Sequence, residues 1–406
     1  MSEFKIINGN CLDEMRKLPA NSVDAIVSDP PYGLEFMGNE WDRGVPGKDF
    51  WIEALRVAKP GAYLLAFSGT RTYHRLAAAI EDAGWEVRDI VTWVSSKTFP
   101  KSLDVSKAID KAAGVEREVV GYSRGVTVED NQGYGGFARG GVGIVQKGAE
   151  IPVTKAATDA AKQWEGWGTA LKPSCEPICM ARKPLEGTVA ENVQKYGTGG
   201  INIDGCRVPM GDEYDPTKIQ RQQNSEGSVK GAFGAAALIG KEIPTYKPGG
   251  RWPANLVHDG SPEVISEFPT DKPGKMVRNR TAGARMFNNN GEDTGYETVE
   301  ALDDPGGSLA RFFYCAKISK ADRGEGNDHP TVKPTELMRY LVRLVCAKGG
   351  TVLDPFMGSG STGKGALLEN CKFIGIDLNA EYCKIADRRL SELLESKPAS
   401  LENLMQ

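Results

Sequence analysis

The sequence predicts an open α/β sheet interrupted by a long insertion. Three features predict it. Strand-length apolar runs alternate with helical spacings over residues 1–100 and again from residue 325 on. A glycine-rich turn, Gly358 to Gly363, joins one late strand to a helix, and Asp377 closes the next strand nineteen residues after Gly358. At 406 residues, the chain also exceeds what one compact core usually holds.

In chain order, Phe4 to Asn8 and Val23 to Ser28 are apolar runs of strand length, with a short helical stretch, Cys11 to Leu18, between them. Phe50, Trp51, Ala54, Leu55 and Ala58 share one helical face, and Pro60-Gly61 is expected to end that helix before a strand at Ala62 to Phe67. Tyr73, Leu76, Ala77 and Ile80 repeat the helical spacing, Gly84 stops it, and a strand follows at Val87 to Val94. Beyond residue 100 the periodicity fades. Gly133 to Gly148 is too rich in glycine for an element interior, and only Pro177 to Lys183 and Leu309 to Ala316 stand out as apolar runs. Regular alternation returns with a helix carrying Leu337, Tyr340, Leu341, Leu344 and Val345. A strand at Thr351 to Asp354, the glycine turn, a helix to about Asn370, a strand at Phe373 to Asp377 and a final amphipathic helix from Tyr382 to Leu394 follow. The expected division is a first half-domain at 1–100, an insertion at 101–324, a second half-domain at 325–395 and a frayed tail at 396–406.

Composition narrows the function. Hydrophobic residues at 40% and charged residues at 26% fit a soluble globular protein, and no apolar run reaches 18 residues, so a cytoplasmic protein without a membrane span is expected. The net charge of -4 argues against indiscriminate adhesion to nucleic acid but leaves room for a locally basic groove. Eight scattered cysteines form no Cys-x-x-Cys pair; Cys175 and Cys179 lie in a strand-like run, and no metal is expected.

Two motifs carry chemistry. Asp354-Pro355-Phe356-Met357-Gly358-Ser359-Gly360 follows a buried strand and opens a helix, so backbone can approach a ligand and helix N–H groups point at it. Gly358 to Lys364 nearly matches a phosphate-binding loop, yet Gly365 stands where the magnesium-holding hydroxyl belongs. Asp354 would repel a triphosphate but suits the ammonium or sulfonium side of a cationic nucleoside, and Asp377 suits ribose hydroxyls. The second motif, Asp29-Pro30-Pro31-Tyr32, ends an early strand. An exocyclic amine has two hydrogens, and the Asp29 carboxylate and the Pro30 carbonyl can accept them while Tyr32 offers a flat face to an extruded base.

Together these motifs resemble the amino-methylating DNA methyltransferases in their beta-class order, in which Asp-Pro-Pro-Tyr comes first, a target-recognition region follows and the cofactor loop comes last. The resemblance covers roughly residues 4–100 and 325–395. It implies a Rossmann-like methyltransferase sheet with circularly rearranged halves, S-adenosylmethionine as cofactor and double-stranded DNA as substrate. It also implies catalytic roles for Asp29, Pro30, Pro31 and Tyr32, and cofactor contacts from Asn10, Cys11, Asp29, Lys333, Asp354, Pro355, Phe356, Gly358, Gly360 and Asp377. Asn10 departs from the usual Gly-Asp, and Lys333 reads either as a neighbour of the methionine carboxylate or as an exposed lysine ahead of a helix. In this class Asp-Pro-Pro-Tyr usually accompanies adenine N6, with cytosine N4 as the alternative and a non-catalytic DNA-binding relative or an RNA or protein-glutamine methyltransferase further behind. Methylation at cytosine carbon 5 is disfavoured, because no cysteine follows a proline. The family allows a homodimer and a cognate restriction endonuclease as partners, in a bacterial or phage-infected cytoplasm.

For DNA itself, Lys272, Lys275, Arg278, Arg280 and Arg285 occupy a stretch without an acid, which reads as a phosphate-contacting segment or as a solvated loop. Trp164, Trp167, Tyr196 and Trp252 are expected mostly to pack.

Overall fold

A computed structural model describes residues 3–34, 44–96, 102–124, 150–209, 250–271, 307–329 and 331–396. The chain divides into two compact units. The first comprises residues 1–206, 255–264 and 315–406; the second comprises 207–254 and 265–314.

The first unit opens with β1 (Phe4–Asn8), α1 (Cys11–Lys17), β2 (Val23–Ser28), α2 (Lys48–Val57), β3 (Ala58–Phe67), α3 (Tyr73–Asp82) and β4 (Glu86–Val94). These elements stand where the periodicity predicts them, with one correction. Pro60-Gly61 does not end a helix; α2 already stops at Val57 and β3 starts at Ala58. The pair makes an irregularity inside the strand instead, where the register against β2 jumps from Val23↔Ala58 to Ala25↔Tyr63 and Gly61 takes φ +78. The freed Pro60 carbonyl accepts from Asn192 Nδ2 at 2.9 Å and from Thr198 Oγ1 at 2.5 Å.

Residues 102–206, expected to be irregular insertion, carry α4 (Val105–Ala112), β5 (Val119–Arg124), β6 (Glu150–Thr154), α5 (Asp159–Gln163), β7 (Cys175–Arg182) and α6 (Val189–Tyr196). They belong to the first unit. The last part adds β8 (Leu256–His258), α7 (Pro262–Glu267), β9 (Thr270–Asp271), β10 (Gly307–Ser308), β11 (Tyr314–Cys315), α8 (Thr335–Val345), β12 (Thr351–Asp354), α9 (Ser361–Leu368), β13 (Lys372–Asp377) and α10 (Ala380–Ser396). In the second unit, β9 pairs antiparallel with β10, and the Arg251 guanidinium lies 4.6 Å from the Phe312 ring centre.

Among the described residues the main sheet runs β1-β13-β12-β2-β3-β7-β4-β8-β11. The block from β1 to β3 is wholly parallel, while β7 runs antiparallel to both β3 and β4. This is a parallel-rich, Rossmann-like α/β sheet with the two sequence halves interleaved: β1 and β2 from the start flank β13 and β12 from the end. Cys175 and Cys179 both lie on β7, four residues apart, a span of about 13 Å along a strand, too far for one shared ion. The core buries Met15, Ile26, Trp51, Leu64, Leu76, Ile80, Cys179, Leu353 and Ile376 in one cluster. No helix of the described residues is long and apolar enough to cross a membrane.

The glycine that breaks the phosphate-loop pattern has a packing cause. A Cβ on Gly365 would meet the Met338 carbonyl carbon at 2.8 Å and the Arg339 nitrogen at 2.9 Å, so α9 packs directly on the α8 backbone. Gly365→Ala should therefore destabilise the protein by about 1–3 kcal/mol in chemical denaturation. An unchanged midpoint would contradict that close approach.

Candidate active site

The sheet brings the two motifs together. β12 and β2 are neighbouring parallel strands with Val352↔Ala25 and Leu353↔Ile26 in register, so their carboxyl ends lie side by side. Ser28 Oγ donates to Asp354 Oδ1 at 2.6 Å, and Thr362 Oγ1 donates to Asp354 Oδ2 at 2.5 Å. The Phe356 N–H donates to Oδ1 at 3.1 Å. The expectation that this carboxylate faces an ammonium or sulfonium is corrected: Asp354 is 1% exposed and braces its own loop, helix and neighbouring strand. Burial pushes its carboxyl up to about 7, against the Ser28 and Thr362 hydrogen bonds.

The loop beyond it needs its glycines. Gly358 at φ +54 and Gly360 at φ +83 take left-handed backbone, and a Cβ would meet His329 Nε2 at 2.8 Å at the first and Ala386 at 2.9 Å at the second. Gly360 is the N-cap of α9, which has no side-chain cap. The half-buried Asp377 closes β13 and accepts the Gly358 N–H on Oδ2 and the Asn379 N–H on Oδ1, each at 2.8 Å. Burial raises it above the ordinary carboxylate range. Pro355 is buried, and Phe356 is half-buried against Phe50 with ring centres 5.8 Å apart. Asn10 and Cys11 stand beyond β1, whose last residue pairs with Asp377. The Asn10 amide oxygen caps α1 by accepting the Leu12 N–H at 3.0 Å, and Cys11 is buried with its thiol pushed up to about 12 by burial.

Asp29 lies one residue beyond β2 in a cluster of four. The Tyr32 hydroxyl is 2.7 Å from Asp29 Oδ1 and 3.0 Å from Glu176 Oε2. Lys333 Nζ is 2.9 Å from Asp29 Oδ2, 2.9 Å from Glu176 Oε2 and 3.2 Å from the Tyr32 oxygen. Lys333 is thus no exposed lysine: it is 9% exposed and lies 4.9 Å from the Phe67 ring centre.

The profile of the N6/N4 methylase family, described as DNA methylase, matches residues 169–388 of this sequence, a range that includes Glu176, Lys333, the Asp354 loop and Asp377. This chain belongs to that DNA methylase family. The Type II methyltransferase M.SfiI of Streptomyces fimbriatus is 37% identical to the methylase over 425 residues, covering 94% of this chain and 89% of that protein. The DNA adenine methyltransferase YhdJ of Escherichia coli is 46% identical over 66 residues, 16% of this chain and 22% of that protein. Among solved structures, the M1.HpyAVI-SAM complex aligns at TM-score 0.38 and 14% identity, covering 95% of this chain and 98% of that one.

In the methylase, Asp29 and Lys333 shift each other. Burial raises the Asp29 carboxyl and Glu176 adds to that, while Lys333 and the Tyr32 hydrogen bond oppose it. Burial alone would lower Lys333, but the carboxylates of Asp29 and Glu176 outweigh it and hold the ammonium charged. Sequence reasoning missed Glu176, although the strand beginning beside it was legible. It gave no role to His329, the first residue of the segment leading to Lys333, whose ring lies over Gly358 and meets Tyr382 edge-on at 4.5 Å. Burial, then Lys333, Arg323 and Arg389, push His329 down to about 4, so it stays neutral near neutral pH. The expectation that the tryptophans pack is corrected: Trp164, Trp167 and Trp252 are 43%, 60% and 65% exposed, while Tyr196 is half-buried. Lys272, Lys275, Arg278, Arg280, Arg285 and the Gly133–Gly148 run lie outside the described residues.

Proposed function

We propose that this methylase transfers a methyl group from S-adenosylmethionine to N6 of adenine in double-stranded DNA. The observation that carries the reading is the Ser28–Asp354 hydrogen bond at 2.6 Å, which ties the residue before Asp29 to the first residue of the glycine loop. The chain's own groups fit the cofactor. Asp377 is half-buried and keeps acceptor capacity on oxygens that each take one backbone N–H, as two ribose hydroxyls require. The turn from Pro355 to Gly360, with left-handed glycines and no side-chain cap on α9, suits a ligand close to backbone. Asn10 and Cys11 would bound its far end, and Lys333 acts beside Asp29.

When bound, S-adenosylmethionine supplies a methyl group activated on a sulfonium. Tyr32 stacks on the extruded adenine, and the Asp29 carboxylate and Pro30 carbonyl accept the two amine hydrogens, drawing the nitrogen lone pair toward the methyl. The bound cofactor would supply the methyl group for the new C–N bond, and Asp29 would receive the proton that the methylated amine sheds. Pro31 stiffens the turn. The aspartate that opens the motif favours adenine over cytosine N4, and the name of YhdJ supports it. The Type II designation of M.SfiI supports a cognate endonuclease as partner.

Asp377→Ala should weaken S-adenosylmethionine binding about tenfold or more in calorimetry, since two charge-assisted hydrogen bonds to the ribose are lost. Unchanged affinity would remove Asp377 from the site. Transfer of labelled methyl to duplex DNA tests the reading as a whole.

A further inference from the structure

Glu176 belongs to neither motif. It reaches the site on β7, where Trp93↔Glu176 is in register with β4 and the following Pro177 carbonyl accepts the Ser68 N–H at 2.9 Å. One oxygen, Oε2, lies 2.9 Å from Lys333 and 3.0 Å from the Tyr32 hydroxyl, whose single hydrogen can go either to Asp29 or to Glu176. Those donors occupy both Asp29 oxygens, Lys333 on Oδ2 and Tyr32 on Oδ1. A base amine that hydrogen-bonds to Asp29 must displace or share one of them. The ammonium has three hydrogens, matched by Asp29, Glu176 and the Tyr32 oxygen, so it keeps two acceptors when Asp29 turns away.

We propose that Glu176 is a positioning residue of methyl transfer: it retains Lys333 and Tyr32 while Asp29 gives its oxygens to the target amine. This rests on the function proposed above. Without the Glu176 charge, Asp29 becomes the one carboxylate of the four-residue cluster, and Lys333 holds it away from the amine. Glu176→Gln keeps the shape and an acceptor oxygen but removes the charge; Glu176→Asp keeps the charge.

The test measures kcat of the full-length variants on duplex DNA at saturating S-adenosylmethionine from about pH 5 to 9. The groups acting on Asp29 there are Tyr32, Lys333 and Glu176, with Asp354 beside them on β12. Tyr32 is held protonated and Lys333 charged across this range, and Glu176→Gln leaves the partners of Asp354 untouched. A moved acid limb therefore reports the effect of the Glu176 charge on Asp29.

Glu176→Gln should lower kcat about tenfold or more with cofactor affinity unchanged. Its acid limb should move to lower pH, because the negative charge that favours a proton on Asp29 is gone. Glu176→Asp should recover part of both. Wild-type kcat in Glu176→Gln, or a lower kcat with the acid limb unmoved, would overturn the proposal, the second outcome marking a merely structural role. If the wild-type protein transfers no methyl, or Asp29→Asn keeps full activity, the proposed function falls and takes this inference with it. An active wild type, an inactive Asp29→Asn and an unaffected Glu176→Gln would overturn the inference alone.

Discussion

Asp29→Asn should slow methyl transfer by roughly 10²–10⁴-fold while leaving S-adenosylmethionine affinity within a few-fold of wild type. The substitution preserves volume and keeps a carbonyl oxygen for Tyr32, so the fold should survive. It removes the charge that draws the amine hydrogens and the basic oxygen that takes the shed proton. It also leaves the Ser28–Asp354 contact and Asp377 untouched, which is why binding and turnover should separate. Calorimetry and single-turnover methylation read the two quantities independently. Parallel losses in both would show that Asp29 supports the pocket rather than the chemistry.

Lys333→Met should destabilise the protein by about 2–4 kcal/mol at neutral pH, near the lower end of the range for breaking a buried ion pair. The carboxylates it serves, Asp29 and Glu176, keep 20% and 27% of their side-chain surface in solvent, so screening trims the penalty. Without the ammonium that opposes burial, the Asp29 carboxyl holds its proton more tightly in the folded than in the unfolded chain, so stability relative to wild type is lost as pH rises through the carboxylate range. The deficit should shrink as pH falls back through that range and Asp29 takes up its proton, and Glu176→Gln placed on Lys333→Met should restore part of the loss. Denaturant midpoints across pH check this. A pH-independent deficit would mean that packing against Phe67, and not charge, is what Lys333 supplies.

Much of this was legible in the sequence because both motifs are contiguous. The Asp29 turn and the Asp354 loop each follow a strand with a clear apolar run, and strand tips are where open α/β sheets bind ligands. What the sequence did not reveal lies in long-range pairing. β7 was readable as a strand, but its antiparallel place between β3 and β4 depends on partners about a hundred residues away, and Glu176 becomes a site residue through that pairing alone. The short elements of 102–206 escaped periodicity, although caps such as Thr188 with Glu191 were written in the chain. Residue type shows chemistry but not direction: in the folded chain, closing the β12–α9 turn engages both oxygens of the buried Asp354, whereas capping α1 takes one lone pair of Asn10 and leaves the other.

The most direct test of the central claim is nucleoside analysis of duplex DNA incubated with the wild-type protein and isotopically labelled S-adenosylmethionine. The account predicts label in N6-methyladenine and its disappearance with Asp29→Asn. Label in N4-methylcytosine would contradict the assignment to adenine, and DNA free of label would contradict the claim that Asp29 meets a methyl donor held by the Asp354 loop.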